Sequence, residues 1–534
     1  MRLRLLTLLC TLSLFKANAI TYYVNASATG NGTGLSWDNA FTDLQNALSI
    51  AVYGDEIWVA AGQYKPTASA TRTVSFVLKD GVNVRGGFAG TETSVSQRNI
   101  AANPTTLNGD IGEIGETSDN SHNIIRASGL TTTVILDGFR IINGNSGSSY
   151  NGAGLKVSGA MSGMLHLQNC YFFANKASNY GGALYIQNSK VTVEDCEFRG
   201  NNAGNQGGAI YTLNSGNQST LIIKGTKFIG NSAYLGACVS NASEYKVLSI
   251  DRCIFTNNTS RNSIIDIDHF LNAKIYNSYI IGNTVNDFSA NILAVSHYAN
   301  STADDFEMVN CTVVNNYNIY TNGVQQEIID LYKSYYKIRN CIIYGNTAYQ
   351  GRQLQQFKAV SNSIVEGGYA NNSENSNAIP LFVNANTTAT ANFDATNFNY
   401  ELTAQSPGIN AGNNAYVNNL YPKDLNNAER LQGTIVDLGA YESDVEFTAV
   451  ASNFNALSIT AYPNPFITDL FITVAEQPEY AHVYDVSGRL VATPEFTLEN
   501  GVVKLNLQGV KQKGIYILKL FYKEKEIVKK IIKQ

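Results

Sequence analysis

Two aspartates and an arginine are the residues whose types and spacing in this sequence are best suited to chemistry. Asp266 and Asp268 alternate with Ile267, so in a strand they share one face about 7 Å apart, and Arg261 precedes them closely. Paired acids with a nearby base are what hydrolysis or β-elimination of a polysaccharide requires. The same residues also fit a solvated strand face beside the core residue Ile265, and the sequence favours that interpretation.

Motifs of other enzyme classes do not occur in the sequence. It contains 5 His and has no phosphate loop, catalytic serine elbow or zinc motif. We therefore expect no cofactor and no metal site, and the sequence favours a protein that is not an enzyme. The net charge of -5 provides no basic surface, which argues against nucleic acid as a partner.

Tyrosine and asparagine are what an outward surface of this protein offers to a ligand. The chain has 31 Tyr, and Tyr150, Tyr180 and Tyr234 lie in loops just before glycine-rich or apolar segments. Stacked rings with amide donors suit sugar binding. The alternative is that these rings only pack the loops.

A repeat with fixed internal spacing runs through the middle of the chain. One copy consists of Val191, Val193, Cys196, Phe198 and Asn201. Apolar residues alternate as in a strand, but the third inward residue follows after three positions, so the chain must bend there. An Asx side chain at the bend can bond its own backbone. The bend residues are Asn169, Asp195, Asn277, Asn310, Asn340 and Asn362.

Two short strands and a corner in each copy predict an all-β, right-handed parallel β-helix, a pectate-lyase-like solenoid. Residues 181–185 and 207–211 repeat as a third strand, whose glycines let neighbouring coils approach closely. Stacked coils bury a continuous apolar column that one coil cannot bury alone. Residues 38–52 predict a helical cap at the N-terminal end, with Asp38 as its N-cap.

The central position of the repeat predicts a ladder of small inward side chains. Ser and Thr also occupy this position, and neither can form a disulfide, so we expect packing rather than bridges. A Cys170–Cys196 or Cys311–Cys341 bond between adjacent coils is the alternative, since export permits disulfides. The ladder residues are Cys170, Cys196, Thr226, Cys253, Ser278, Cys311 and Cys341.

The first residues are typical of an export signal. Arg2 and Arg4 precede an apolar run at 5–15, which is too short to span a bilayer. An A-x-A cleavage site ends at Ala19, so the mature chain is predicted to begin at Ile20. The predicted divisions are a signal peptide at 1–19, a β-helix with its cap at 20–372, a closing segment at 373–442, a linker at 443–456 and a sorting domain at 457–534.

Two stretches near the end of the sequence resemble known families. Residues 406–413 (SPGINAGN) and 436–442 (VDLGAYE) resemble the closing segment of bacterial β-helix proteins of the choice-of-anchor type. The blocks AYPNPF at 461–466, VYDVSGRL at 483–490 and GIYILK at 514–519 resemble the type A sorting domain of the Bacteroidetes type IX secretion system. The strand and turn pattern of this last region predicts a small β-sandwich.

The sorting-domain resemblance implies a route and a partner. It implies handling by the type IX secretion machinery, passage through the outer membrane, removal of the domain, and then attachment to surface lipopolysaccharide or release. The protein is therefore expected outside the cell or on the outer-membrane surface. The repeats also resemble the chlamydial polymorphic outer-membrane proteins, which are β-helix adhesins.

Together these features favour a non-catalytic adhesin or glycan-binding protein. The alternatives are a polysaccharide lyase or glycoside hydrolase acting on acidic polysaccharide, and a passive structural protein of the cell surface.

Overall fold

The alternating apolar residues of each repeat point into one long core, and the strands that carry them stack in parallel on their counterparts in neighbouring coils. Within residues 19–443 this stacking gives a 12-stranded, an 11-stranded, a 9-stranded and a 6-stranded sheet, named here sheets A, B, C and D. This is the predicted parallel β-helix. The computed structural model describes residues 19–159, 162–214, 219–242, 246–287, 289–296, 305–320, 327–347, 352–354, 359–369, 374–386, 392–417, 419–443, 461–474, 477–485, 489–499, 501–522 and 526–534.

The four sheets are built from short strands. Sheet A consists of Thr21–Val24, Glu56–Ala60, Asn83–Phe88, Val134–Asp137, Met164–Gln168, Lys190–Glu194, Thr220–Lys224, Val247–Asp251, Asn272–Tyr276, Asp305–Val309, Lys337–Arg339 and Ala359–Ser361. Sheet B consists of Gly62–Tyr64, Thr105–Asn108, Phe139–Ile142, Tyr171–Phe173, Glu197–Arg199, Lys227–Ile229, Ile254–Thr256, Tyr279–Ile281, Thr312–Val314, Ile342–Tyr344 and Ile364–Val365. Sheet C consists of Phe76–Leu78, Ile125–Ser128, Leu155–Ser158, Leu184–Gln187, Ile210–Leu213, Val239–Asn241, Ser263–Asp268, Asn291–Ser296 and Ile329–Leu331. Sheet D consists of Lys176–Ala177, Asn202–Ala203, Ser232–Ala233, Thr259–Ser260, Thr284–Val285 and Tyr317–Asn318.

The corner between sheets A and B is made by one residue per coil in the left-handed backbone conformation. Asn169, Asp195 and Asn277 have φ of +48°, +50° and +48°. The predicted bond from these side chains to their own backbone is wrong. Asn169 Nδ2 instead donates to Asp137 in the preceding coil at 2.9 Å. Asn suits this position because it tolerates positive φ.

The second corner, between sheets B and D, holds a buried ladder of asparagines. Asn231 Oδ1 accepts from the backbone N–H and the Nδ2 of Asn201, both at 3.0 Å. Asn231 Nδ2 donates to Asn258 Oδ1 at 3.0 Å and to the Phe198 carbonyl at 2.8 Å. Each amide is thus bonded to the coils on both sides. The ladder residues are Asn175, Asn201, Asn231, Asn258, Asn283, Asn316 and Asn346.

The predicted cysteine ladder lies inside the β-helix, and its members make one recurring pair of contacts. Cys196 Sγ lies 3.3 Å from the Glu194 carbonyl and 3.4 Å from the backbone N–H of Cys170. Thr226 Oγ1 makes the equivalent contacts to Lys224 and Cys196. A hydroxyl replaces the thiol here because both groups can donate and accept. The described cysteines are buried and free.

Two glycines let the third strand of each coil lie close to the next coil. A side chain on Gly182 would approach the Gly208 carbonyl oxygen to 2.2 Å, and one on Gly208 would approach the Ser232 carbonyl oxygen to 2.4 Å. These glycines precede the strands Leu184–Gln187 and Ile210–Leu213 of sheet C. The close approach is what the repeated glycine pairs of the sequence provide.

The N-terminal cap is shorter than predicted. The helix is Leu44–Ile50, and its N-cap is Asp43, which accepts from the Gln45 N–H at 2.9 Å. The predicted N-cap Asp38 is wrong, because the chain is still turning there. Leu44 and Leu48 face the core, whereas Val52 lies beyond the helix and is exposed.

The closing segment folds back over the outer faces of sheets A and B. Thr256 and Thr312 on sheet B accept the backbone N–H groups of Ala395 and Ala440 at 2.7 and 3.0 Å. Tyr421 stacks on Tyr276 of sheet A with 4.2 Å between ring centroids. Further elements are the antiparallel strands Phe382–Asn384 and Asn399–Leu402 and the 3₁₀ turns Val95–Gln97, Ala395–Asn397 and Asn414–Tyr416.

A fully buried arginine holds the closing segment together internally. Arg430 Nη2 donates to the Asp437 carbonyl at 2.8 Å and lies 3.6 Å from Glu442 Oε2. Asp437 and Glu442 belong to the VDLGAYE block and accept backbone N–H groups. Burial raises the pKa of Glu442 to about 7.

A second compact unit begins at residue 445, and its described part is a pair of four-stranded antiparallel sheets over one apolar core. The first sheet contains Ala461–Tyr462, Asp469–Thr473, Val502–Asn506 and Phe496–Glu499. The second contains Leu490–Ala492, Tyr480–Asp485, Gly514–Phe521 and Glu526–Lys533. These are the sheets expected of a small β-sandwich.

Some sequence predictions fall outside the described residues. They are residues 1–18 of the signal peptide and 444–456 of the linker. The predicted cleavage site itself lies at the start of the described chain, where the Ile20 N–H donates to Asp55 at 2.9 Å. Among the described helices, none has the length and apolar character needed to cross a membrane.

Replacing one ladder asparagine is expected to destabilise the β-helix strongly. Asn231→Ala leaves the buried backbone N–H of Asn201 without its acceptor and removes the bonds from Asn231 Nδ2 to Asn258 and Phe198. Each group left without a partner costs about 1–3 kcal/mol. Equilibrium urea unfolding of the full chain measures the loss. Asn262→Ala is the matched control, because that side chain makes no hydrogen bond within the described residues. Equal stability of the two variants would contradict the ladder's role.

The cysteines are expected to react only after unfolding. Cys196 is buried and burial raises its thiol pKa, so the reactive thiolate is both scarce and shielded. Labelling with a chromogenic disulfide reagent is expected to be negligible in buffer and complete in denaturant. Ready labelling of the native protein would contradict the inward placement, and missing thiols in denaturant would indicate disulfides.

Candidate functional site

One column of residues on the outer face of sheet C contains the polar and aromatic side chains that are best suited to binding or chemistry. In-register pairing aligns equivalent residues of successive coils, and their neighbours along each strand point into the core. We name this set the sheet C column. From the N-terminal end it runs Arg126, Lys156, Tyr185, Tyr211, Ser240, Asp266, Ala294 and Asp330.

The acidic part of the column is built around Asp266, which the sequence singled out. Asp266 is partly exposed and accepts a hydrogen bond from Ser240 Oγ at 3.1 Å. Burial raises the pKa of Asp266 to about 7, and the nearby Asp268 also raises it, whereas the Ser240 hydroxyl lowers it. A carboxyl that changes charge near neutral pH can bind hydroxyl groups as acceptor or donor.

The second aspartate of the predicted pair shares this outer face. Asp268 lies two residues further along the strand Ser263–Asp268. Its Oδ1 accepts from Ser296 Oγ at 3.1 Å, and its Oδ2 lies 2.8 Å from His269 Nδ1. The side chain is therefore fixed by its neighbours while staying partly exposed.

The predicted arginine is not part of this group. Arg261 Nε pairs with Asp287 at 2.9 Å, and its guanidinium lies 5.2 Å from the centre of the Tyr234 ring. No contact joins Arg261 to Asp266 or Asp268 among the described residues. The reason is that Arg261 precedes the strand, in the turn, where its side chain is 62% exposed.

The middle of the column is aromatic. Tyr180 stacks on Tyr211 at 4.6 Å, and Tyr211 stacks on Tyr185 at 5.7 Å. Tyr185 and Tyr211 are only 4% exposed, whereas Tyr180 is half-buried and forms the accessible face of the stack. Asn205 Nδ2 donates to the Tyr180 hydroxyl at 3.2 Å, which fixes the ring.

The three loop tyrosines named from the sequence have separate locations. Tyr150 stacks on His122 at 4.2 Å, and Tyr234 lies under Arg261. Only Tyr180 contacts the column, through its stacking on Tyr211. The sequence analysis did not identify Tyr185 and Tyr211 as candidate binding residues. Each follows an inward residue, Leu184 or Ile210, and this alternation could have placed both tyrosines on the outer face.

The basic end of the column consists of Arg126 and Lys156. Arg126 is exposed, and Lys156 Nζ lies 5.8 Å from the centre of the Tyr185 ring. Burial lowers the pKa of Lys156, and the nearby Arg126 lowers it further. From Arg126 to Asp266 the column spans five coil steps, roughly 24 Å at about 4.8 Å per step.

The column, with the Tyr180 ring stacked on it, can therefore offer cations, one accessible aromatic face and a carboxyl along one line. These groups suit an extended ligand that carries both rings and hydroxyls. Across the described residues there is no cluster of three or more His, Cys, Asp or Glu side chains that could hold a metal ion.

The titration of Asp266 is expected to make stability depend on pH. Its pKa of about 7 in the folded chain exceeds the ordinary 3.8, so the folded state binds the extra proton between these values. Stability should therefore fall as the pH rises through this window. Asp266→Asn removes this contribution. The melting temperature of the variant minus that of the parent should therefore increase as the pH rises from 5 to 8.

Ser240→Ala is the companion variant. It removes the hydrogen bond that favours the charged carboxylate, so the Asp266 midpoint should move upward in a carbon-detected NMR titration. A midpoint near 4 in the parent would contradict the described environment.

Comparison with known proteins assigns the C-terminal region of the chain to a family of domains. Residues 460–534 match the family described as the secretion system C-terminal sorting domain. Among solved structures, the crystal structure of pectate lyase Pel9A is similar, with 16% identity and a TM-score of 0.41, over 80% of this chain and 97% of that one. No curated protein matches the chain. The protein therefore carries a type IX sorting tail, which indicates export to the cell surface or the extracellular space.

Proposed function

We propose that this exported β-helix is a non-catalytic protein that binds glycans through the sheet C column. The observation that carries the proposal is the line of Lys156, the stacked tyrosines, Ser240 and Asp266 on one outer face. A β-helix presents such a line along its axis, so an extended chain can contact several coils at once. The sorting tail supports this role because it sends the protein to where glycans of neighbouring cells are found.

The aromatic stack supplies the part of the column that recognises sugar rings. Tyr180 is the accessible ring, and its position is fixed by Tyr211 beneath it and by Asn205 at its hydroxyl. A ring that is ordered before binding loses little entropy when a sugar stacks on it. The flanking Lys156 and Asp266 then offer a donor and an acceptor to the hydroxyls.

After export, the sorting domain is proposed to be removed and the β-helix to be attached to surface lipopolysaccharide or released. The support for this step is the match of residues 460–534. Either outcome leaves the column outside the cell.

Cleavage of acidic polysaccharide is the second candidate, and one observation favours it. The pKa of Asp266 is about 7, and Asp268 lies on the same strand face. A carboxyl with such a pKa can act as a general acid or base near neutral pH. A passive structural role at the cell surface would require neither binding nor cleavage.

Binding of the full chain to immobilised polysaccharides tests the proposal. Pectin, alginate, glycosaminoglycans and neutral glucans serve as the panel. Tyr180→Ala is expected to weaken binding about tenfold, because it removes the accessible ring. Tyr53→Ala is the control, since Tyr53 is 69% exposed and lies at the N-terminal cap.

Analysis of the same incubations for products separates the alternatives. Unchanged polysaccharide with Tyr180-dependent binding is the expected result. Unsaturated or reducing ends that disappear in Asp266→Asn would favour the enzyme. Binding that is equal in both tyrosine variants, or absent throughout, would contradict the column as a glycan site.

A further inference from the structure

A half-open cavity of about 650 Å³ lies between the outer surface of the β-helix and the closing segment. Its wall on the β-helix side comes from the corner between sheets A and B, and its roof comes from residues 395–398, 425–427 and Tyr441. It shares no lining residue with the sheet C column. We propose that this cavity binds a neutral saccharide, one or a few sugar residues of a glycan, at a second site.

Three successive corner positions that line the cavity are not asparagine. These positions are Asp195, Gly225 and Arg252, with φ of +50°, +56° and +51°. Gly225 has no side chain, and a Cβ there would approach Asp195 Oδ1 to 2.2 Å. The Asp195 carboxylate therefore occupies the space beside Gly225, and Arg252 follows at the next corner position.

The roof is held in place by specific bonds rather than by loose contact. Ala395 N–H donates to Thr256 Oγ1 at 2.7 Å. Arg252 Nη1 donates to Asn427 Oδ1 at 2.8 Å, and its Nε donates to Asp251 at 3.1 Å. The cavity is thus formed before any ligand enters, which favours binding because little ordering remains to be done.

The lining of the cavity contains equal numbers of acidic and basic side chains. Glu194 and Asp195 oppose Lys227 and Arg252, so the lining carries two acids and two bases. Burial acts to raise the pKa of Glu194, but hydrogen bonds from Gln168 and His166 outweigh it and leave the pKa lowered. A balanced lining favours a neutral ligand, and its mixture of donors and acceptors suits hydroxyl groups, each of which does both.

A pair of tyrosines forms part of the lining. Tyr279 is 4% exposed, and its hydroxyl interacts with the side chain of Tyr441. The neighbouring Tyr441 packs edge-to-face against it at 4.8 Å. Burial raises the pKa of Tyr279 well above its ordinary value, so the hydroxyl keeps its proton.

Aromatic and apolar groups complete the site. Tyr279, Tyr441 and Phe398 line the cavity together with Ile254 and Leu425. The C–H face of a sugar ring packs well on such surfaces, while its hydroxyls reach the polar wall. A small apolar molecule would instead leave the charged wall without partners, which disfavours it.

Blocking the mouth of the cavity tests the proposal. The full chain is applied to an array of neutral oligosaccharides of glucose, mannose, galactose and xylose, with oligogalacturonates as charged counterparts. Thr396→Trp and Asn426→Trp each place a large ring at an exposed lining position. Titration calorimetry with the best neutral oligosaccharide is expected to show at least about a tenfold loss of affinity in both variants.

Thr434→Trp is the matched control, because Thr434 is exposed on the same segment and outside the cavity. It is expected to bind as the parent does, whereas Tyr180→Ala alters the sheet C column and shows which part of the affinity belongs to that other site. Loss in Tyr180→Ala alone would assign the neutral ligand to the sheet C column and overturn the second site. Absence of neutral hits, or binding of charged oligosaccharides only, would also overturn it.

Discussion

The amide ladder at the corner between sheets B and D is the interaction on which the other features of the β-helix depend. Each buried asparagine has its donor and acceptor capacity used by the coils before and after it. A buried amide without such partners would be costly. A coil displaced along or around the axis would break these bonds, so the ladder fixes the rotation of each coil relative to the next. The alignment of outward residues into a single column follows from this fixed rotation.

The parts of the fold that depend on the repeat could be predicted from the sequence. The change from a step of two to a step of three located the corner at Asn169 and its equivalents. The inward position shared by Cys196 and Thr226 was recognisable because small residues recur there. The corner bonds were predicted wrongly, because side chains such as that of Asn169 reach the adjacent coil. The spacing of the repeat does not specify the direction in which such a side chain points.

The candidate sites depend on contacts that the repeat does not encode. Arg261 stands close to Asp266 in sequence, but a turn directs it to Asp287 instead. Tyr185 and Tyr211 become neighbours of Lys156 and Ser240 only after loops of unequal length have been closed. The cavity under the closing segment joins Arg252 to Asn427, which are separated by 175 positions. Such pairings are decided by tertiary packing, which outweighs local sequence preference.

The equivalence of the contacts at Cys196 and Thr226 has a consequence for the length of the protein. Each coil presents to its neighbours the same groups that it receives: an amide, a thiol or hydroxyl, and a row of backbone donors and acceptors. A whole coil could therefore be gained or lost between matching positions while the surfaces that meet remain complementary. The length of the β-helix can therefore change in steps of about 4.8 Å, the spacing of one coil. Its reach can change by whole coils while the interior of the remaining coils stays the same.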